Sequence, residues 1–148
     1  MKKVLWTVGL AVMVCCLIGG TCGKPKVAGV DKAMLATAEK IKQAEGEDGF
    51  KVKCEVQDVN KNGEPDLVVT YISGPGDKSP AYFLGHVTAN VVLASRDGNV
   101  QPDLVVVRVA GEEYKAKVSD CAKCVDLFTS GASADEVGQC IVDAYGLE

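Results

Sequence analysis

A run of oxygen-bearing side chains between residues 58 and 66 is the part of this sequence best suited to chemistry. These side chains occupy positions one, three, five and nine of the run: Asp58, Asn60, Asn62 and Asp66. A hard cation such as Ca²⁺ binds about six to eight oxygens, and alternate residues of a tight loop can supply them. Gly63 at position six allows the bend, and Glu64 can add its backbone carbonyl. The spacing therefore predicts a calcium site in this loop.

The segment from Asp58 to Val69 resembles the calcium loops of FG-GAP and VCBS repeats, in which such a loop leads into an apolar strand. Dockerin and EF-hand loops open in the same way but lead into helices, whereas residues 67–72 favour a strand. FG-GAP repeats build β-propellers, which are too large for a chain of 148 residues. The resemblance therefore implies one loop that braces a small domain. With only two carboxylates among its side-chain ligands, its dissociation constant should be on the order of 10⁻⁴ to 10⁻³ M.

A second segment repeats the end of this loop. Residues 102–106 read Pro-Asp-Leu-Val-Val, as residues 65–69 do, and this alignment places Asp103 opposite Asp66. Val100 then stands opposite Gly63, and a serine stands opposite the first carboxylate. Because the glycine and the first carboxylate are both missing, we expect no second cation site.

The alternative for the first loop is a tight hairpin turn. Asn-Gly is the preferred pair for a two-residue type I′ connection, in which both residues take a positive φ. This alternative accounts for Asn62 and Gly63 but leaves Asp58 and Asp66 unexplained. Both interpretations stay open on the sequence alone.

Residues 1–22 have the layout of a secretory signal peptide. Lys2 and Lys3 precede an apolar run over residues 4–18 that is short for a membrane span. Cys22 follows small residues in a context that resembles the lipobox of bacterial lipoproteins, where the cysteine carries the lipid. We therefore expect a bacterial cell-envelope protein, membrane-anchored through Cys22 or free in the periplasm, with a secreted protein or a permanent anchor helix as alternatives. Residues 23–30 form a tether, and residues 31–148 form a single domain.

The cysteines predict two disulfide bonds in the exported domain. If Cys15 and Cys16 leave with the signal and Cys22 takes the lipid, an even set remains: Cys54, Cys121, Cys124 and Cys140. Cys124 and Cys140 fall on two predicted helices joined by a short loop, so that this pairing is geometrically easy and leaves Cys54 for Cys121. The alternative is a redox pair of Cys121 and Cys124, which would make the protein a periplasmic thiol-disulfide protein.

Composition and charge exclude several classes of function. Without residues 1–22, 14 Lys and Arg residues face 20 Asp and Glu residues, which gives a net charge of −6 and disfavours nucleic acid. His86 is the only histidine, and no G-x-S-x-G nucleophile motif occurs. We therefore expect a non-enzymatic module without a small-molecule substrate. It would bind an envelope protein or another envelope component, through its hairpin tips or through residues 74–82.

The hydrophobic pattern predicts an α+β domain in αββ-αββ-αα order. Helices are expected from Asp31 to about Gly46 and over residues 82–94, 121–128 and 134–145. Ser119 or Asp120 should cap the third helix, and a capping box of Ser133 and Glu136 should open the fourth. Strands are expected over residues 50–56, 67–73, 104–109 and 113–118, with 90–94 as a possible further strand. We therefore expect a layered domain in which helices pack on one face of an antiparallel sheet, braced by the disulfides.

Overall fold

The structure, a computed structural model, describes residues 30, 32–73, 76 and 78–147. The predicted signal peptide, Cys22, the tether apart from Val30, and the expected cap Asp31 lie outside these residues. Of the helices that are described, none combines the length and the hydropathy needed to cross a bilayer.

The elements follow one another in the predicted order. Their bounds are α1 (Lys32–Glu47), β1 (Val52–Gln57), β2 (Asp66–Tyr71), α2 (Pro80–Asp97), β3 (Leu104–Val109), β4 (Glu112–Lys117), α3 (Val118–Thr129) and α4 (Ala134–Tyr145). The αββ-αββ-αα order and the α+β class are therefore confirmed. Residues 90–94 lie inside α2, so the alternative of a strand there is wrong. Val87 and Val91, four residues apart, are both completely buried on the core side of this helix.

The four strands form one mixed sheet in the order β1-β2-β3-β4. The outer pairs, β1 with β2 and β3 with β4, are antiparallel hairpins, but β2 and β3 are parallel. The expectation of a fully antiparallel sheet is therefore wrong for the central pair. Its physical reason is α2, because a helical crossover returns the chain to the same end of the sheet and makes the next strand parallel.

The hydrophobic core lies between the helices and one face of this sheet. Alternate residues of the two central strands face it and are completely buried: Leu67, Val69, Val105 and Val107. Ile41 of α1 and Leu84 of α2 are completely buried against them. Lys53, Arg108 and Lys115 belong to the opposite parity of their strands, so they project from the other face. The predicted packing of helices on one face is confirmed.

The two C-terminal helices differ in how they begin. Ser133 and Glu136 form the predicted capping box at the start of α4. Helix α3 begins at Val118 directly after β4, with Lys117 at the N-cap position and no side-chain cap. The expectation that Ser119 or Asp120 caps α3 is therefore wrong, because the helix starts earlier and includes both residues.

Candidate functional site

The loop between β1 and β2 is a wide turn. The strand pairing closes at Gln57 opposite Asp66, so residues 58–65 form the connection. Lys61 (φ 60°) and Gly63 (φ 87°) take the left-handed conformation, and Asn62 does not. A type I′ turn needs a positive φ at both of its central residues. The alternative of a two-residue Asn-Gly hairpin is therefore wrong, and Gly63 supplies the bend expected of position six.

Side-chain oxygens fold this loop onto its own backbone. Asp58 accepts hydrogen bonds from the backbone N–H of Asn62 at 3.0 Å and from that of Gly63 at 3.0 Å, one on each carboxylate oxygen. Asn60 Oδ1 also accepts from Asn62 N–H, at 3.2 Å, and Asn62 Oδ1 accepts from Glu64 N–H at 2.8 Å. The predicted ligands at positions one, three and five therefore all turn their oxygens towards the loop interior.

Asp66 anchors the end of the loop to the sheet. Its side chain is completely buried, and its two oxygens accept from Val59 N–H at 2.7 Å and from Leu104 N–H at 3.1 Å. Burial raises the pKa of this carboxyl, the two backbone N–H groups oppose that shift, and Asp103 and Asp58 add to the rise by charge repulsion. This combination indicates a negatively charged site in which a cation would relieve the repulsion.

Asp103 belongs to the same site, although the sequence pattern did not predict a role for it. Its Oδ2 accepts from Asn60 Nδ2 at 3.0 Å and from Asn62 Nδ2 at 2.8 Å. The Asp103 N–H donates to Pro65 O at 2.9 Å, because parallel pairing of β2 and β3 lays the two repeated Pro-Asp segments side by side. The repeated Pro-Asp segment could therefore have identified Asp103 as a residue of this site. Asp103 contributes to the first loop instead of forming a second one.

The donor set fits a hard cation in its chemistry, because oxygen is the only ligand atom that these side chains offer. No Lys, Arg or His of the described residues forms an ion pair with Asp58, Asp66 or Asp103. Nor does the described part contain a group of three His, Cys, Asp or Glu side chains arranged to hold a metal ion by themselves. A cation here would therefore also need the amide oxygens of Asn60 and Asn62 and the backbone carbonyl of Glu64.

The predicted disulfide between Cys124 and Cys140 is present and joins α3 to α4, with Cα atoms 5.5 Å apart. The second predicted bond is wrong, because Cys54 and Cys121 are free. Cys54 lies in β1, which forms one edge of the sheet. Cys121 lies at the start of α3, which follows directly after β4 at the opposite edge. Three strand spacings span about 14 Å, whereas a disulfide needs Cα atoms within about 7 Å.

Neither free thiol has the environment of a reactive cysteine. Cys121 is completely buried beside Thr88, and burial raises the pKa of its thiol. Burial, with nearby Glu39, Glu45 and Glu55, raises the pKa of Cys54 to about 12. A thiol attacks as its thiolate, so both residues should be poor nucleophiles.

We expect iodoacetamide to label Cys54 and Cys121 slowly in the native protein at pH 8. Cys54 stays protonated at that pH, and Cys121 is out of reach of the reagent. Peptide mass mapping before and after unfolding in guanidinium measures the difference. Rapid native labelling of either residue would contradict this assignment.

A second polar cluster, centred on Glu45, was not predicted from the sequence. Glu45 is completely buried and accepts from Tyr71 Oη at 2.8 Å and from Asn90 Nδ2 at 2.9 Å. His86 lies between two carboxylates, with Nδ1 3.4 Å from Glu45 and Nε2 3.0 Å from Asp48. These contacts connect α1, β2 and α2 through one buried carboxylate, so the cluster holds the fold together.

Comparison with known proteins yields no match: no family model, no curated protein and no solved structure is significantly similar to this chain. The likeness of residues 58–69 to FG-GAP and VCBS loops therefore stays a prediction from the sequence pattern.

Proposed function

We propose that this protein is a calcium-stabilised, non-enzymatic module of the bacterial cell envelope, anchored by lipid on Cys22, that binds another envelope protein. The observation that carries the proposal is the cluster of oxygen donors between the β1–β2 loop and the start of β3. Asp58 and Asp103 lie close enough to Asp66 to raise its pKa by charge repulsion, and no Lys, Arg or His of the described residues forms an ion pair with any of the three. Intact mass of protein extracted from membranes tests the anchor, since an unlipidated mature form would remove it.

Calcium would act as a brace in this account. A bound ion would supply the positive charge that no cationic side chain of the described residues provides to the carboxylates of Asp58, Asp66 and Asp103. Asn60 and Asn62 already connect the loop to Asp103 by hydrogen bonds. An ion bound by loop residues and by Asp103 would therefore hold the β1–β2 hairpin against the start of β3. Such a site suits the millimolar calcium outside cells, where structural sites need only weak affinity.

A second surface, whose lining shares no residue with the β1–β2 loop, supports binding of a protein partner. An apolar groove of about 340 Å³ lies between α2, α3 and α4, and Leu93 and Phe128 line it with 53% and 68% of their surface exposed. The hydroxyls that line it are bonded elsewhere, Thr88 to Tyr145 and Thr129 to the carbonyl of Asp126. Exposed aromatic and aliphatic side chains around a concave surface are typical of protein interfaces.

The alternative, a thiol-disulfide protein that uses Cys121 and Cys124, has weaker support. Cys124 is bonded to Cys140, and Cys121 is a buried thiol with a raised pKa. A redox motif needs an accessible cysteine with a lowered pKa. His86 likewise contacts Glu45 and Asp48 instead of activating a nucleophile.

Isothermal titration calorimetry should detect one calcium ion per chain, with a dissociation constant on the order of 10⁻⁴ to 10⁻³ M. Asp58→Asn should weaken binding at least about tenfold, because it removes one of the few carboxylates while keeping the shape of the side chain. Asp143→Asn, which makes the same charge change on the exposed surface of α4, is the matched control. Equal calcium affinity in the Asp58 variant and the wild type would refute the site.

A further inference from the structure

The face of the sheet opposite the described helices differs in charge from the rest of the domain. Side chains of one parity along each strand project from it, and five of them are cationic: Lys51, Lys53, Arg108, Lys115 and Lys117. Three acidic side chains have the same parity: Glu55, Glu113 and the buried Asp66. This basic face therefore holds five of the twelve Lys and Arg residues that the structure describes, but only three of the seventeen Asp and Glu residues.

Most of this positive charge is available to a partner. Lys51 and Lys117 are exposed and form no ion pair with a described residue. Glu113 is shared by Arg108 at 2.7 Å and Lys115 at 2.8 Å, so one carboxylate serves two cations. Surface ion pairs of this kind are weak. An anionic partner can therefore compete for the paired cations as well as bind the unpaired ones.

The arrangement of the cations suits a broad surface better than a small ligand. Lys51 and Lys53 lie at the β1 edge of the sheet, and Lys115 and Lys117 lie on β4 at the opposite edge, about 14 Å away. Ile72 adds an aliphatic side chain that is 71% exposed, and its N–H donates to Lys51 O at 2.8 Å. Cations beside an exposed aliphatic side chain are typical of protein surfaces that contact lipid headgroups.

We propose that the basic face lies against the anionic phospholipids of the membrane in which the protein is anchored. This orientation rests on the proposed function, because lipid on Cys22 and the tether of residues 23–30 would keep the domain within about 30 Å of the bilayer. A basic surface is a common second membrane signal beside a lipid chain. The helices lie on the other side of the sheet, so the apolar groove between α2, α3 and α4 stays accessible to a protein partner.

The test is amine labelling of the purified protein on vesicles in calcium-free buffer. One set of vesicles contains phosphatidylcholine alone, and the other contains an equal mixture of phosphatidylcholine and phosphatidylglycerol. Acetylation of each lysine is followed by peptide mass mapping. The four lysines of the basic face should react at least about threefold more slowly on the anionic vesicles, and high salt should remove the difference. Lys123, exposed on α3, should react equally on both.

Equal labelling of the four lysines on both kinds of vesicle would overturn the proposal. Equal protection of Lys123 would also overturn it, because the contact would then not be specific to this face. Intact mass of the same preparation reports separately whether Cys22 carries lipid. Protection without lipidation would support the basic face and refute the anchor, so the two failures are distinguishable.

A charge variant localises the contact. Lys115→Gln combined with Lys117→Gln removes two cations from β4, and the readout is the labelling of the two lysines at the β1 edge. Their protection should largely disappear, because each cation near an anionic surface contributes about fivefold to association. The matched control is Lys40→Gln combined with Lys42→Gln, two exposed cations of α1. Unchanged protection in the β4 variant, or an equal loss in the control, would contradict the proposal.

Discussion

Replacing Glu45 with alanine should lower the free energy of unfolding by about 3 to 5 kcal/mol, measured by guanidinium denaturation. The substitution removes a completely buried carboxylate that accepts from Tyr71 and Asn90. Removing one partner of a buried polar cluster leaves the others unsatisfied, and it also opens a cavity in the core. A loss of this size is a large part of the stability of a typical small domain.

Glu47→Ala provides the control for this prediction. Glu47 is in the same helix but is exposed, and its only described side-chain contact is with Gln43 on the surface. Its removal should change stability by no more than about 0.5 kcal/mol. Glu45→Gln, which keeps the shape and one acceptor, should fall between the two. If the Glu45 and Glu47 alanine variants were equally stable, the Glu45 cluster would have no structural role.

Removal of the disulfide has the second large expected effect. Replacing Cys124 and Cys140 together by alanine should lower the free energy of unfolding by about 3 kcal/mol, the value expected from closing a loop of about 15 residues. The bond spans 16 positions and joins α3 to α4. Guanidinium denaturation of the double variant and the oxidised wild type measures the difference.

Cys121→Ala distinguishes the bond from the loss of a buried sulfur. This change removes one buried thiol without touching the disulfide, so its effect should be clearly smaller. The wild type treated with a reductant should approach the stability of the double variant. Equal stability of oxidised and reduced protein would show that the bond does not brace the helices.

Local patterns predicted the elements well because each pattern depends on neighbouring residues. Alternation through Val52, Cys54 and Val56 marked β1, and the capping box of Ser133 and Glu136 marked the start of α4. The direction of β3 relative to β2 depends on the connection between the two strands. The predicted helix over residues 82–94 is the kind of crossover that makes two strands parallel, and the expectation of a fully antiparallel sheet did not take it into account.

The missed site residues depended on distant partners. Glu45 continues the helical face of Met34, Ala38 and Ile41, which was a signal for its burial. Its partner Tyr71 lies 26 positions away, however, and a charged residue at such a position is ordinarily expected at the surface. Asp103 lies 41 positions from Asn62, and only the parallel pairing of β2 and β3 brings them together.

The cysteine prediction was correct where the contact is local and wrong where it is not. Cys124 and Cys140 lie on consecutive helices, so a short connection brings them together. The pairing of Cys54 with Cys121 followed from an even count alone. Strand order separates these two residues, since β1 and β4 form opposite edges of the sheet.

Thermal unfolding of the oxidised protein, in EDTA and then in excess Ca²⁺, tests the central claim most directly. At ten times the dissociation constant, calcium should stabilise the fold by about 1.4 kcal/mol and raise the midpoint by roughly 5 °C. The Asp58→Asn variant should lose this shift, Asp143→Asn should keep it, and Mg²⁺ at the same concentration should reproduce little of it. A midpoint that calcium leaves unchanged in the wild type, or raises equally in the Asp58 variant, would contradict a calcium-braced loop.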